Sequence, residues 1–216
     1  MIAPLRVLRR GENDFLLLTE PELGETVRSH LVRSRFAARA DIEPEEHESV
    51  LILGDDAEPP EGALGLENDD YGTPAFELLD PPVAEAPTLT AEELERLRIR
   101  ARTPRFGHEL DERVLPAEAG LVDRAVSLTK GCYPGQEPIA RLHFRGHANR
   151  GLRALRIDAD APPAPDAELL YEGKTVGRVT SAVPEDGVIV ALAYVRVEVP
   201  EDAVLEVAGA PARALL

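Results

Sequence analysis

The feature that most constrains the fold is a series of short β-rich runs in the last third of the chain. The runs are LRALRID (152–158), ELLYEGKTVGRVTSAV (168–183), GVIVALAYVRV (187–197) and AVLEVAG (203–209). Turn-forming stretches such as PEDG (184–187) separate them. β-rich runs at such short spacing are typical of a small antiparallel barrel or sandwich. We therefore expect a C-terminal β-barrel domain over residues 149–216.

The preceding part, residues 1–148, mixes strand and helix patterns and predicts an α+β region. Thr90 followed by Glu93 is a capping box that marks the start of a helix. The segment 55–74 is rich in Pro, Gly and acidic residues and predicts an exposed loop. The patterns predict strands at 4–10, 14–19, 48–54 (buried) and 75–80, helices at 20–36 and 90–102, and one or two helical turns at 135–142, limited by Pro138.

Charge and length exclude several classes of protein. The 216 residues carry a net charge of −16, which repels nucleic acid and anionic membranes at long range, so we expect no direct nucleic-acid partner. No apolar run is long enough to span a bilayer, and the N-terminus does not resemble a signal peptide. The single cysteine cannot form an internal disulfide. These features predict a soluble cytoplasmic protein with no membrane partner.

One segment departs from the acidic character of the chain. Between Glu137 and Asp158 there is no acidic residue, but there are five arginines and two histidines: Arg141, Arg145, Arg150, Arg153, Arg156, His143 and His147. Two interpretations remain open. The segment is either a solvated face or the mouth of a site for an anionic ligand, because the guanidinium fork suits carboxylate and phosphate.

The octapeptide KGCYPGQE (130–137) contains the only cysteine, Cys132, and one of two lysines, Lys130. A thiol reacts as the thiolate, and a neighbouring ammonium or helix N-terminus favours that form. Residues two apart in an extended segment lie on one face, so the two side chains can converge. The alternative is that Cys132 is a small, inert, buried side chain. His143 and His147 have helical metal-ligand spacing but no third ligand nearby, so we assign no metal.

The stretch LTKGCYPGQEPIAR resembles the K-G-C-[aromatic]-x-G-Q-E signature of the YgfZ family. These are folate-binding proteins related to the aminomethyltransferase (T-protein) of the glycine cleavage system. The blocks RTPRFGHELDE (102–112), LPAEAGLVDRAVS (115–127), GRVTSAV (177–183) and ALAYVR (191–196) are similar to other family segments in the same order. The resemblance implies an aminomethyltransferase-like fold around a tetrahydrofolate cavity, with the cysteine loop at its rim.

The resemblance also implies roles for individual residues. Cys132 and Lys130 would carry the chemistry, and four further residues would contact tetrahydrofolate: Tyr133, Gln136, Glu137 and Arg141. The chain begins inside the family pattern, after a region that supplies part of the folate pocket in relatives. Three explanations stay open: a misplaced gene start, a truncated sequence, or a member with a reduced pocket. Relatives have R-I-E-A-G-x-P where this chain has RIRARTP (98–104), so Arg100 replaces the acid that would grip the pterin and Arg102 replaces a glycine.

The resemblance leads to two hypotheses about function, and the arginine segment leads to a third. The first is a folate-binding accessory protein for iron–sulfur cluster assembly or repair and, indirectly, for tRNA modification such as thiolation. Its partners would be iron–sulfur client or assembly proteins, and it would not be a turnover enzyme. The second is a tetrahydrofolate-dependent aminomethyltransferase that transfers a one-carbon unit. The third is a non-catalytic module that docks an acidic partner through the arginine segment (141–156).

Overall fold

The structure is a computed structural model that describes residues 3–54, 59, 61–81 and 88–215, without the side chain of Arg145. Its contacts divide the chain into two compact units, Met1–Thr88 and Leu89–Leu216. The second unit therefore contains both the cysteine loop and all of the C-terminal β-rich runs. The division into domains 1–148 and 149–216 stays a prediction about independent folding units.

The first unit opens with a β-hairpin and a helix, as the sequence predicts. Strand β1 (Arg6–Arg9) pairs antiparallel with β2 (Phe15–Leu18) across the polar turn at 11–14. A short 3-10 helix (Pro21–Leu23) leads into α1 (Gly24–Ser34). The fixed φ of proline suits a helix start. Val27 is the buried residue of α1, and Leu23, at the end of the 3-10 helix, is also buried.

The same unit contains a three-stranded antiparallel sheet of β3 (Ser49–Leu53), β4 (Leu64–Asn68) and β5 (Ala75–Leu79), in the order β3-β5-β4. The predicted strands at 48–54 and 75–80 are confirmed, although β3 is a half-exposed edge strand and not a buried one. The prediction that 55–74 is all exposed loop is wrong, because β4 lies within it. Gly65 permits this pairing, since a Cβ there would overlap the carbonyl oxygen of Glu77 on β5.

The second unit begins with helices α2 (Ala91–Arg100), α3 (Val122–Ala125) and α4 (Gln136–Arg145). The predicted capping box is present: Thr90 N donates to Glu93 Oε2 at 2.7 Å, and Glu93 N donates to Thr90 Oγ1 at 3.2 Å. Helix α4 is longer than the one or two turns predicted. Pro138 does not limit it, because that residue lies in the first turn, where a backbone N–H has no helical partner.

Six strands of the second unit form a closed antiparallel barrel in the order β10-β11-β6-β9-β8-β7. They are β6 (Arg150–Ile157), β7 (Glu168–Tyr171), β8 (Lys174–Glu185), β9 (Val188–Arg196), β10 (Leu205–Val207) and β11 (Ala210–Ala214). Small and branched side chains such as Val179, Ala193 and Val195 fill the interior. The predicted α+β class and the predicted barrel are both confirmed.

Helix α2 packs against the barrel through Ile99, which is fully buried with Ala154, Val190 and Leu192. This contact places the segment that follows α2 against the outside of strands β8 and β9. Across the described part of the chain, no helix combines the length and the apolar character needed to cross a membrane.

Candidate functional site

The cysteine loop (130–137) is an exposed turn that leads into α4. Ser127 Oγ accepts a hydrogen bond from the Lys130 backbone N at 3.2 Å, which starts the turn. Gly135 closes the turn with φ +86°, a left-handed conformation that glycine adopts without steric cost, and α4 begins at the next residue. The Cys132 thiol is exposed and unbonded. The alternative that Cys132 is buried is therefore wrong, and its reactivity stays a prediction.

The Lys130 side chain contacts an aromatic ring of the cysteine loop. Its ammonium nitrogen lies 4.8 Å from the centre of the Tyr133 ring, which is a cation–π contact. The charge is therefore held beside the residue that follows Cys132. The sequence predicts that the Lys130 and Cys132 side chains can converge. The contact seen for the ammonium is with the Tyr133 ring, so an effect of Lys130 on the thiol stays a prediction.

Tyr133 ends in a polar atom without a partner. Its hydroxyl is buried, and among the described residues it forms no hydrogen bond. An unsatisfied buried hydroxyl is unfavourable, so a polar ligand atom that reached it would gain a hydrogen bond with little competition from water. Tyr133 is thus the most direct structural indication of a ligand beside the loop.

The remaining predicted site residues lie on the first turns of α4. Gln136 is half-buried, whereas Glu137 and Arg141 are exposed. Glu137 and Arg141 are four positions apart on the helix, so they lie on one face. Within the described residues, neither side chain forms an ion pair or a hydrogen bond. The loop and the helix therefore present a thiol, a carboxylate and a guanidinium to solvent.

These groups fit tetrahydrofolate in part. A carboxylate such as Glu137 accepts from pterin N–H groups, and a guanidinium such as Arg141 suits the glutamyl carboxylates. Arg100 does not fit a pterin-gripping role, because its guanidinium is bound to Glu185, with Nε 3.0 Å from Oε1. The residues that would hold folate are therefore those of the loop and α4, without Arg100.

Arg102 is the second departure from the family pattern, and its backbone has a conformation that favours glycine. It follows α2 with φ +56°, in the left-handed region. Arg102 N bonds to Ile99 O at 3.0 Å, and Thr103 N bonds to Arg98 O at 3.1 Å. This pair of bonds is a Schellman motif, whose left-handed residue is usually glycine. The backbone at Arg102 therefore adopts a conformation that glycine would adopt without steric cost.

A buried ionic cluster near the end of α2 was not predicted from the sequence. The Arg98 guanidinium donates to Glu95 at 2.6 and 2.9 Å, to Glu109 Oε2 at 2.9 Å, to Ser181 Oγ at 2.8 Å and to the carbonyl of Thr103 at 2.6 Å. Burial acts to lower the pKa of Arg98, but the bonds and charges of Glu95 and Glu109 outweigh it and raise that pKa. This cluster holds the segment 103–111 against the barrel.

The arginine segment does not act as one surface. Arg150 binds Glu118 through Nε at 2.9 Å, Arg153 donates to the carbonyl of Val199 at 2.7 Å, and Arg156 lies 3.4 Å from Asp158. Arg141 is the exposed member on α4. In the parts of the chain with described coordinates, no group of three or more His, Cys, Asp or Glu side chains is arranged to hold a metal ion.

Comparison with known proteins agrees with the family resemblance. The chain is 39% identical over 103 residues to an aminomethyltransferase of Moorella thermoacetica, and 36% identical over 87 residues to the tRNA-modifying protein YgfZ of Yersinia pestis. It also matches the crystal structure of the glycine cleavage system aminomethyltransferase T from Bartonella henselae, with a TM-score of 0.74 over 98% of this chain and 19% identity. The chain is related to the YgfZ and aminomethyltransferase proteins.

The relationship confirms the resemblance read from KGCYPGQE, and the structural match confirms the aminomethyltransferase-like fold. The stretches that match cover 47% and 38% of this chain, but only 28% and 26% of the two curated relatives. The chain spans 70% of the Bartonella structure. No family model matches the chain.

Proposed function

We propose that this protein is a folate-binding accessory protein that acts in iron–sulfur cluster assembly or repair in the cytoplasm and, through it, in tRNA modification. Two similarities support the proposal: the tRNA-modifying YgfZ relative in sequence and the aminomethyltransferase T fold. The observation that carries it is the cysteine loop itself, in which the free thiol of Cys132 is exposed and the Lys130 ammonium lies over the ring of the adjacent Tyr133.

The proposal assigns a role to five residues of the loop and α4. Cys132 contacts a cluster, an iron–sulfur client or assembly protein, or a one-carbon adduct, and its exposure makes each of these partners accessible. Lys130 supplies a positive charge beside it. Tyr133, with its unpaired hydroxyl, contacts folate. Glu137 and Arg141 contribute the carboxylate and the guanidinium that complement the pterin and the glutamyl tail.

Folate binding is tested by a thermal-shift titration with tetrahydrofolate and its 5-formyl derivative. A ligand at about 100 times its Kd stabilises the folded state by about 2.7 kcal/mol, so saturable binding raises the melting temperature. Arg141→Ala should reduce the shift. Arg113→Ala is the matched control, because Arg113 is an exposed arginine outside the loop and α4. A titration in which neither folate shifts the melting temperature would reject the folate part of the proposal.

The role of the thiol is tested separately in cells that depend on this protein for an iron–sulfur enzyme. Cys132→Ala should abolish support of that enzyme while leaving the folate-induced thermal shift intact. The measurement is the specific activity of the cluster enzyme at matched protein levels. Full support by Cys132→Ala would show that the exposed thiol has no part in the function.

A second candidate function is tetrahydrofolate-dependent aminomethyl transfer. The similarity to the Moorella aminomethyltransferase favours it. The assay is ammonia release from an aminomethylated lipoyl carrier protein in the presence of tetrahydrofolate. Release that depends on this protein would establish the transferase, whereas folate binding without ammonia release would favour the accessory role.

A further inference from the structure

A second candidate ligand site lies on the barrel, away from the cysteine loop. It is a cleft of about 690 Å³, which we call the barrel cleft. Clefts of roughly 300–1,000 Å³ are the usual size for small-molecule sites. Arg178, Tyr194 and Arg196 line it, and these residues alternate with the interior residues Val179 and Val195. The cleft is therefore on the outer face of the barrel, and none of its lining residues belongs to 130–137.

The strand register brings three arginines together in the barrel cleft. Arg150 on β6 is directly opposite Arg196 on β9. Arg178 on β8 is opposite Tyr194, two residues from Arg196 on the same face. Such diagonal neighbours are about 7–8 Å apart. Like charges directly opposite each other destabilise a sheet, and the acids paired with the three arginines, Glu118, Asp166 and Glu198, offset this repulsion.

Tyr194 fixes two of these guanidinium groups. The Arg150 guanidinium lies 4.8 Å from the ring centre and that of Arg178 lies 5.8 Å from it. The ring itself is held in place, because its hydroxyl donates to the carbonyl of Glu109 at 2.9 Å. Burial raises the pKa of this hydroxyl, which keeps it a neutral donor. Guanidinium groups held in position lose less entropy when they bind a ligand.

In two of the three arginines, the Nε–Nη2 edge of the guanidinium group is available for a ligand. Arg178 binds Asp166 through Nη1, and Arg196 binds Glu198 through Nη1 at 3.2 Å. Within the described residues, the Nε and Nη2 atoms of both arginines donate no hydrogen bond. The Nε–Nη2 edge is one that grips a carboxylate or phosphate with two parallel bonds.

The acids of the barrel cleft do not block these edges. Asp166 and Glu198 are 69% and 64% exposed, and their ion pairs with the arginines are solvent-exposed and therefore weak. Glu118, at 13% exposure, is occupied by Arg150. The fourth acid of the lining, Glu168, is opposite Arg178 in the strand register, but it is exposed and accepts a hydrogen bond from Thr175 Oγ1 at 3.4 Å. At the edges of Arg178 and Arg196, an anion would therefore compete with exposed carboxylates.

We propose that the barrel cleft binds an anionic ligand with at least two carboxylate or phosphate groups, gripped by the Nε–Nη2 edges of Arg178 and Arg196. Arg150 contributes its positive charge and, through Tyr194, the rigid floor. The proposal is independent of folate binding at the cysteine loop.

The test is isothermal titration of the full chain with two probes, tripolyphosphate and a triglutamate peptide, at low ionic strength. We expect saturable one-to-one binding of at least one probe. Binding of tripolyphosphate alone identifies phosphate as the ligand group, and binding of triglutamate alone identifies carboxylate. Arg178→Ala removes a charged, bidentate contact and should raise the Kd about tenfold or more.

The control variant is Arg213→Ala. Arg213 is also a partly exposed barrel arginine paired with an aspartate, Asp158, but it does not line the cleft. Arg178→Lys keeps the positive charge but loses the Nε–Nη2 edge that forms two parallel hydrogen bonds. It should therefore also weaken binding if the ligand is held by that edge. An absence of binding with both probes would refute the proposal, as would an equal loss of affinity in Arg178→Ala and Arg213→Ala.

Discussion

Replacing Glu109 by alanine tests how much the buried ionic cluster stabilises the second unit. The Glu109 side chain is 0% exposed and accepts three hydrogen bonds. The donors are Arg98 Nη1 at 2.9 Å, Ser181 Oγ at 2.7 Å and the backbone N of Arg105 at 3.0 Å. Truncation removes all three bonds at once and leaves Arg98 with less compensation for its burial.

The expected loss follows from these contacts. Removing one partner of a buried ion pair costs about 3–5 kcal/mol. Arg98 keeps its two bonds to Glu95, so we expect the lower end, about 3 kcal/mol. For a chain of this size the melting temperature should fall by roughly 6–12 °C, because each 1 kcal/mol corresponds to about 2–4 °C.

The measurement is urea unfolding followed by circular dichroism, with the free energy of unfolding from linear extrapolation. Glu198→Ala is the control, since its carboxylate is exposed and its ion pair with Arg196 should be worth no more than about 1 kcal/mol. If Glu109→Ala lost less than about 1 kcal/mol, or no more than Glu198→Ala, the cluster would not be a stabilising feature. The double variant Arg98→Met, Glu109→Leu should recover most of the loss, because well-packed apolar groups can replace a buried pair.

Three further predictions concern other parts of the chain. His47 bonds to Asp80 and Glu45, and these bonds raise its pKa. Protonated His47 should therefore stabilise the fold fully below pH about 6.5, and this stabilisation should be lost as the pH rises through the higher folded-state pKa. The melting temperature of the original protein should fall over this range, whereas that of His47→Asn should not show this decline. Arg102→Gly should raise the free energy of unfolding by about 0.5–1 kcal/mol, because it relieves a left-handed backbone, whereas Arg102→Ala should not; a loss in urea unfolding would contradict this. Gly177→Ala should cost roughly 1–3 kcal/mol in the same assay, since a Cβ would overlap a carbonyl oxygen of the paired strand, and an unchanged midpoint would disprove the close approach.

The candidate site was found from the sequence only in outline. The scarcity of cysteine and lysine and the pattern KGCYPGQE identified the loop. Its exposure and the position of the Lys130 charge over Tyr133 needed coordinates. The unpaired Tyr133 hydroxyl has no sequence signal, because burial of one atom depends on residues that pack around it.

The errors in the fold prediction also concern features that depend on the structural context of a residue. Strand β4 lies in a segment rich in Pro, Gly and acid, and it forms because β5 offers a complete row of backbone partners. Helix α4 continues past Pro138 because the position of a proline within a helix, and not its presence, decides whether it interrupts hydrogen bonds.

The sequence by itself determined the features that depend on near neighbours: the capping box of α2, the hairpin turn, and the β-rich runs that close into a barrel. The alternation of side chains and the residue types of turns are local properties, so they can be recognised in the sequence. Only the tertiary structure decided which distant polar groups meet. Arg98 and Ser181 are 83 positions apart, and the arginines of the barrel cleft come from three separate strands. Their contacts arise from strand register and packing, which bring together residues that no short-range pattern connects.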